Sequence, residues 1–225
     1  AASGLDYQQR GTGIGADNAA VYALDADEDG WTDLLVMGGE RPALYRNTGG
    51  AFERAPSFPR VDATLKSAAV VDYDGDGWED VLLFRVQGAP VALHNDGGTF
   101  ERDRVGIGNL SYPLGATAAD YDRDGDRDLF VYQSRNWSQG QPAGYAALYR
   151  HVEDDNGNPN VLFENTGESG ADRFERGTGA GIEGTRWSLA ASFVDLNGDG
   201  WQDIHVANDY NNDTVYINQG DGSFR

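Results

Sequence analysis

Asp72-Tyr73-Asp74-Gly75-Asp76-Gly77-Trp78-Glu79-Asp80 decides how this chain is read, because the same nine-residue phrase is written three more times. Its sisters are Asp25-Ala26-Asp27-Glu28-Asp29-Gly30-Trp31-Thr32-Asp33, Asp120-Tyr121-Asp122-Arg123-Asp124-Gly125-Asp126-Arg127-Asp128 and Asp195-Leu196-Asn197-Gly198-Asp199-Gly200-Trp201-Gln202-Asp203. Every copy has an acid or amide at positions 1, 3, 5 and 9 and glycine at position 6. A hard dication such as Ca2+ takes six to eight oxygens at about 2.3–2.6 Å, and a short loop supplies them from alternate side chains. The glycine turns the chain so that the backbone carbonyl of position 7 (Trp31, Trp78, Asp126 or Trp201) faces inward, and the aspartate at position 9 closes the far side. Asp, Asn and Gly also populate ordinary solvated turns, and one copy alone would be read that way. Four copies that crowd mutually repelling carboxylates at one phase point instead to Ca2+, about one per loop and up to four in all.

An EF-hand would place a bidentate Glu at position 12 and run on into a helix. Here position 12 is Val36, Leu83, Val131 or Val206, inside the apolar runs Leu34–Met37, Val81–Phe84, Leu129–Tyr132 and Ile204–Ala207. Each loop therefore leads into a strand. Before each loop lies a strand of small residues (Ala20–Leu24, Ala68–Val71, Ala116–Ala119, Ala191–Val194). After it comes a third strand ending in asparagine, at Asn47, Asn95, Asn165 and Asn218, and then a turn leading to Phe52, Phe100, Phe174 and Phe224. Repeats of this length, built of several short strands, predict an all-β propeller of four-stranded blades with an ion-binding hairpin loop in each blade. The repeats span about 7–51, 52–99, 100–173 and 174–225, with Tyr7 in the place of the repeat Phe; the third carries an insertion at about 134–159. Small residues suit the crowded inner edge of a blade, and the large apolar ones fill the space between blades. Trp31, Trp78 and Trp201 recur at one phase and read as packing. Either four blades close a small ring or they form part of a larger propeller, and the abrupt end at Ser223-Phe224-Arg225 favours the larger one.

The order of loop, apolar strand, asparagine turn and Phe resembles the FG-GAP/VCBS repeats of integrin-α-like β-propellers. The resemblance is closest to the ASPIC/UnbV (CRTAC-like) branch, on the phrases Val206-Ala207-Asn208-Asp209, Val215-Tyr216-Ile217-Asn218 and Gly220-Asp221-Gly222-Ser223-Phe224. It implies a seven-bladed propeller with Ca2+ in hairpin loops at one rim and little about ligand. The chain departs from the family in lacking most Phe-Gly and Gly-Ala-Pro segments; Gly88-Ala89-Pro90 stands alone.

Seventeen basic residues against 37 acidic ones give a formal net charge of −20, which makes nucleic acid an unsuitable partner. Fifteen of the acids occupy the four ligand positions of the loops, so bound dications would neutralise much of the charge locally. Cysteine is absent, which removes disulfides and thiolate chemistry and leaves the stapling to calcium. No apolar run is long enough to span a bilayer, so no membrane insertion is expected. Ala1-Ala2-Ser3-Gly4 lacks the parts of a signal peptide and looks like a mature N-terminus. Weak calcium loops fill where calcium is millimolar, which places the chain in a secreted, periplasmic or cell-surface setting.

No Gly-x-Ser-x-Gly elbow, His-Glu-x-x-His helix or P-loop occurs, and no residue is assigned a catalytic role. His94 and His205 lie in repeat strands and read as packing or solvated-face residues; His151 falls in the insertion. That insertion holds the candidate ligand-binding residues Trp137, Tyr145, Tyr149 and Arg150, which could stack on a sugar ring or anchor a protein. The primary reading is a noncatalytic, calcium-stabilised extracellular module for adhesion or for protein or glycan binding at the rim or insertion. Two alternatives are a propeller domain of a larger secreted carbohydrate-active enzyme and a structural, self-associating subunit of a cell-surface assembly.

Overall fold

The computed structural model describes residues 4–5, 20–38, 41–135, 157–209 and 212–225. Tyr7, from which the first repeat is counted, lies outside them. Strands β1 (Ala20–Leu24), β2 (Asp33–Met37), β3 (Ala43–Asn47) and β4 (Phe52–Arg54) form the first antiparallel sheet in that order. The second contains β5 (Leu65–Val71) and β6 (Asp80–Arg85), then, past the two-residue β7 (Gln87–Gly88), β8 (Val91–Asp96) and β9 (Thr99–Asp103). After β10 (Leu110–Ser111), which pairs with β7, the third sheet comprises β11 (Pro113–Ala119), β12 (Asp128–Gln133), β13 (Val161–Asn165) and β14 (Phe174–Arg176). The fourth has β15 (Trp187–Val194), β16 (Asp203–Asp209) and β17 (Thr214–Tyr216), with a single bridge between Asn218 and Phe224 standing where a fourth strand would be. These are four blades in a propeller arrangement, as the repeat predicts.

Successive side chains of a strand face opposite sides of its sheet, and the second strand of a blade uses both. Leu82 and Phe84 join Leu129, Val131, Val161 and Phe163 in the core between the second and third blades. Val81 and Leu83 join Leu24, Leu35, Met37 and Leu44 between the first and second. Phe130 and Leu162, on the other face of the third blade, meet Ile204, Val206 and Tyr216 of the fourth. That double demand explains why these runs are continuously apolar rather than alternating. Burial of each such side chain contributes about 1.5–3 kcal/mol. The first strands are longer than the alanine-rich segments alone suggest. β5, β11 and β15 begin at Leu65, Pro113 and Trp187 and share a register shift near their starts, between Leu65 and Ser67, Pro113 and Gly115, and Ser188 and Ala190. The extra residue of such a bulge turns the strand near its start and lets the residues ahead of the alanines continue the pairing.

Polar groups also join the blades. The third-strand asparagine donates from Nδ2 across the interface to the carbonyl of loop position 2 in the preceding blade: Asn95 to Ala26 at 3.0 Å, Asn165 to Tyr73 at 2.8 Å and Asn218 to Tyr121 at 2.9 Å. Each also donates to its own loop, at the carbonyls of Glu79, Arg127 and Gln202. Asn47 keeps only the second bond, to Thr32 at 3.1 Å, among the described residues. At the other end, the fourth blade leaves Leu189, Val194, Leu196 and Val215 exposed.

Replacing Asn95 by Ala is expected to cost about 2–4 kcal/mol, since it takes the donor from the Ala26 carbonyl of the neighbouring blade and from the Glu79 carbonyl of its own loop, and Asn47→Ala about 1 kcal/mol less. Equilibrium denaturation of the two variants checks the difference; equal losses would remove the inter-blade bond as its source.

Candidate metal-binding loops

All four loops connect the first strand of a blade to its second, and one side chain organises each. The position-9 aspartate is the first residue of the second strand and is buried in every blade: Asp33, Asp80, Asp128 and Asp203 are at most 1 % exposed. One of its oxygens accepts the amide of the third-strand asparagine, at 2.7 Å from Asn47, 2.8 Å from Asn95, and 2.9 Å from both Asn165 and Asn218. The other accepts the amide of loop position 2, from Ala26, Tyr73, Tyr121 and Leu196 at 2.9–3.3 Å. The sequence suggests only a ligand at position 9; the structure gives it a backbone role that it plays in every blade. Carboxylate oxygens have further lone pairs, so the same side chain can still face an ion.

The other acids are fixed by short bonds within the loop. Asp29, Asp76, Asp124 and Asp199 accept the amide of position 7 at 2.8–2.9 Å. Asp25, Asp72 and Asp195 accept that of the position-6 glycine at 2.9–3.1 Å. That glycine has φ of 85°, 97°, 106° and 89° in the four loops, a conformation open to few other residues. Position 7 carries the tryptophans, which cover the turn between third and fourth strands. A side chain at Gly97 would meet the Trp78 ring at 3.8 Å and one at Gly220 would meet Trp201 at 3.0 Å, while Trp31 remains half exposed.

Carboxylates thus converge. Asp72, Asp74 and Asp80 place oxygens within 4.8 Å of one another, as do Asp120, Asp122 and Asp128, and in the first loop Asp25, Asp27 and Asp29. Such groups fit a hard cation by donor chemistry. In the fourth loop Asn197 replaces an acid and donates to Asp199 at 2.8 Å, with Asp195 and Asp203 beside it in sequence order. His94 is a correction: it does not simply pack or face solvent, since its Nδ1 lies 3.2 Å from both Asp74 and Asp80 and its Nε2 4.0 Å from Asp76. Its strand position, one before the asparagine, aims it at the loop. His205 pairs with Asp213 at 3.0 Å on the surface.

The acids repel one another out of water. Burial pushes the Asp80 carboxyl up to about 7, with Asp74 adding to it, and the Asp128 carboxyl up to about 7, with Asp122 and Asp124 adding. Asp74 and Asp122 are raised by burial and then by neighbouring loop acids, and Glu164 by burial and by Asp122 and Asp124.

The candidate ligand residues Trp137, Tyr145, Tyr149 and Arg150 lie outside the described residues. The base of their insertion is built, however. Gln133 accepts the Ser111 amide at 2.7 Å, and its amide nitrogen reaches the Pro159 carbonyl. The Gln133 backbone amide donates to Asn160 at 2.8 Å, and Asn158 reaches Ser134. Both ends of the insertion are therefore pinned to the end of β12. Among the described residues no helix is long and apolar enough to cross a membrane.

Fold and loops together define a β-propeller whose hairpins carry repeated acidic clusters. The FG-GAP-like repeat model matches residues 25–83, 72–131 and 195–225, more than half of the chain, and the chain belongs to that family. No curated protein sequence matches it. Among solved structures, an Agrocybe aegerita lectin described for specific recognition of non-reducing terminal N-acetylglucosamine aligns at 18 % identity and a TM-score of 0.49. The V. cholerae biofilm matrix protein Bap1 aligns at 15 % identity and a TM-score of 0.47. Each alignment covers 93 % of this chain but only 52 % of the lectin chain and 30 % of Bap1.

With folded carboxyl values near 7 for Asp80 and Asp128 against an ordinary 3.8, the metal-free fold retains protons that the unfolded chain has already released. Its stability is therefore expected to fall as pH rises from about 4 to about 7. Thermal unfolding in EDTA across that window checks the sign; a rise with pH would refute it.

Proposed function

We propose that the chain is a noncatalytic, calcium-stabilised β-propeller module that binds protein or glycan outside the cell. The observation that carries the calcium reading is the convergence of positions 1, 3 and 9 in the second and third loops, with burial holding Asp80 and Asp128 against ionisation. A dication supplies the opposing charge that these carboxylates lack, and oxygen-only donors at positions 1, 3 and 5 suit Ca2+. In this reading the ligands in a loop that takes an ion are the side chains at positions 1, 3, 5 and 9 and the position-7 carbonyl, with four ions as the upper limit. Metal that binds only the folded loops stabilises the fold by linkage. Weak sites of this type fill in millimolar calcium, which supports a secreted, periplasmic or surface location.

The binding role rests on the insertion, whose ends are fixed to β12 while Trp137, Tyr145, Tyr149 and Arg150 supply aromatic and cationic contact chemistry. Rigid scaffolds commonly present function on such loops. Placement in the ASPIC/UnbV branch rests on the phrases from Val206 to Phe224. The division into four repeats, at about 7–51, 52–99, 100–173 and 174–225, is offset from the blades by one strand, since β4, β9 and β14, at the repeat starts, pair with β3, β8 and β13 of the repeat before. The exposed Leu189, Val194, Leu196 and Val215 of the fourth blade support a propeller of more than four blades, since the corresponding faces of the other blades are covered by a neighbour.

Thermal unfolding in excess calcium and in excess EDTA at matched ionic strength tests the calcium reading. The melting temperature is expected to rise by roughly 10 °C or more with calcium, and no difference would sink it. Within a chain that does bind calcium, the Asp72→Ala/Asp76→Ala double variant should lose one ion by native mass spectrometry.

Replacing residues 136–156 by a short Gly-Ser linker should leave the melting temperature within a few degrees while abolishing retention on immobilised glycans or proteins that hold the parent chain. Unchanged retention would move the binding surface off the insertion.

A further inference from the structure

The residue just before the third-strand asparagine differs in every blade: Arg46, His94, Glu164 and Ile217. Of these, Arg46 changes the loop beside it most. Its guanidinium pairs with Asp27 and lies 3.6 Å from Asp33, and its other terminal nitrogen donates to the Gly98 carbonyl of the second blade at 2.6 Å. The side chain is 19 % exposed and Asp33 1 %. Two features of the first loop change with it. Position 3 accepts the position-5 amide in the other three loops, Asp76 to Asp74, Asp124 to Asp122 and Asp199 to Asn197, whereas Asp27 is taken by the guanidinium. Position 9 joins positions 1 and 3 in the acidic clusters of the second and third blades, whereas the first-loop cluster is formed by positions 1, 3 and 5.

We propose that Arg46 is a built-in cation that neutralises Asp27 and Asp33 where an ion would otherwise bridge them, so the first loop is held without metal and only the later three loops take calcium. The proposal rests on the calcium reading of those loops. Guanidinium stays charged throughout the physiological range and offers several donors in one plane. Its single positive charge offsets part of the carboxylate charge that a dication would offset, and it repels a dication a few ångströms away. Its bond to Gly98 holds it in place from the next blade, so the loop is tied to its neighbour as well as neutralised. In the third blade the same position has the opposite sign: Glu164 adds an acid beside Asp122 and Asp124, which increases the demand for a cation there.

Calcium binding by the 225-residue chain, counted by native mass spectrometry and by titration calorimetry, tests this. Three ions are expected for the parent chain and four for Arg46→Ala, since the vacated acids regain a full ligand set. Arg46→Gln, which keeps the side-chain length without the charge, should also gain one ion and gives the same reading where the alanine variant fails to fold. Arg46→Lys should remain at three. Both neutral variants should melt lower than the parent in EDTA and recover in calcium. Four ions on the parent, or an unchanged count in the folded neutral variants, would overturn the role of Arg46 and leave calcium in the other loops standing. No calcium on any variant would overturn the calcium reading, and this proposal with it.

Discussion

A buried carboxylate at loop position 9 is the constraint on which each blade depends. Asp33, Asp80, Asp128 and Asp203 each accept one amide from the end of the third strand and one from the start of the loop. A single side chain thereby fixes the loop against the two strands it must join, and satisfies two buried donors that would otherwise cost about 1–3 kcal/mol each. The asparagine whose amide it receives then donates to the preceding blade. Loop, strand and blade interface are one hydrogen-bonded chain, and displacement of the aspartate would disturb all three.

That arrangement has an electrostatic cost. Two amide bonds favour the ionised carboxylate, yet burial outweighs them at Asp80 and Asp128, and the neighbouring acids act in the same direction as burial. The second and third loops consequently have too much negative charge for their surroundings. The blades meet this differently at the position before the asparagine: a guanidinium in the first, an imidazole near two acids in the second, a further carboxylate in the third and an apolar isoleucine in the fourth. The backbone scaffold is shared, while the residue before the asparagine brings a different charge to each repeat.

Much of this architecture is legible in the sequence because it repeats. Glycine at position 6, the apolar run after the loop and the terminal asparagine identify the second and third strands nearly to the residue, since each reflects a local requirement for a positive φ, two-sided burial or a turn. Long-range partners were harder to read. Asn165 reaches Tyr73 and Asn95 reaches Ala26, contacts between residues that only the packing of blades brings together. The recurrence of asparagine at four equivalent positions is the available signal, and in sequence alone it looks the same as turn chemistry. The role of His94 is hidden in the sequence for a related reason: its neighbours there are strand residues, and only the fold sets it against Asp74 and Asp80.

The division between what repeats and what varies also separates scaffold from function. Residues that recur at one phase, the position-9 acids, the asparagines and the loop glycines, satisfy backbone groups and set the geometry between blades. Tryptophan at position 7 recurs in three loops and covers the turn glycines, which is a packing task even where Trp31 remains half exposed. The residue before the asparagine and the insertion between β12 and β13 are among the parts that differ from repeat to repeat. On the proposed reading, one side chain sets the ion occupancy of a loop and one insertion carries the ligand, while the aspartate and asparagine bonds that the blades share stay in place.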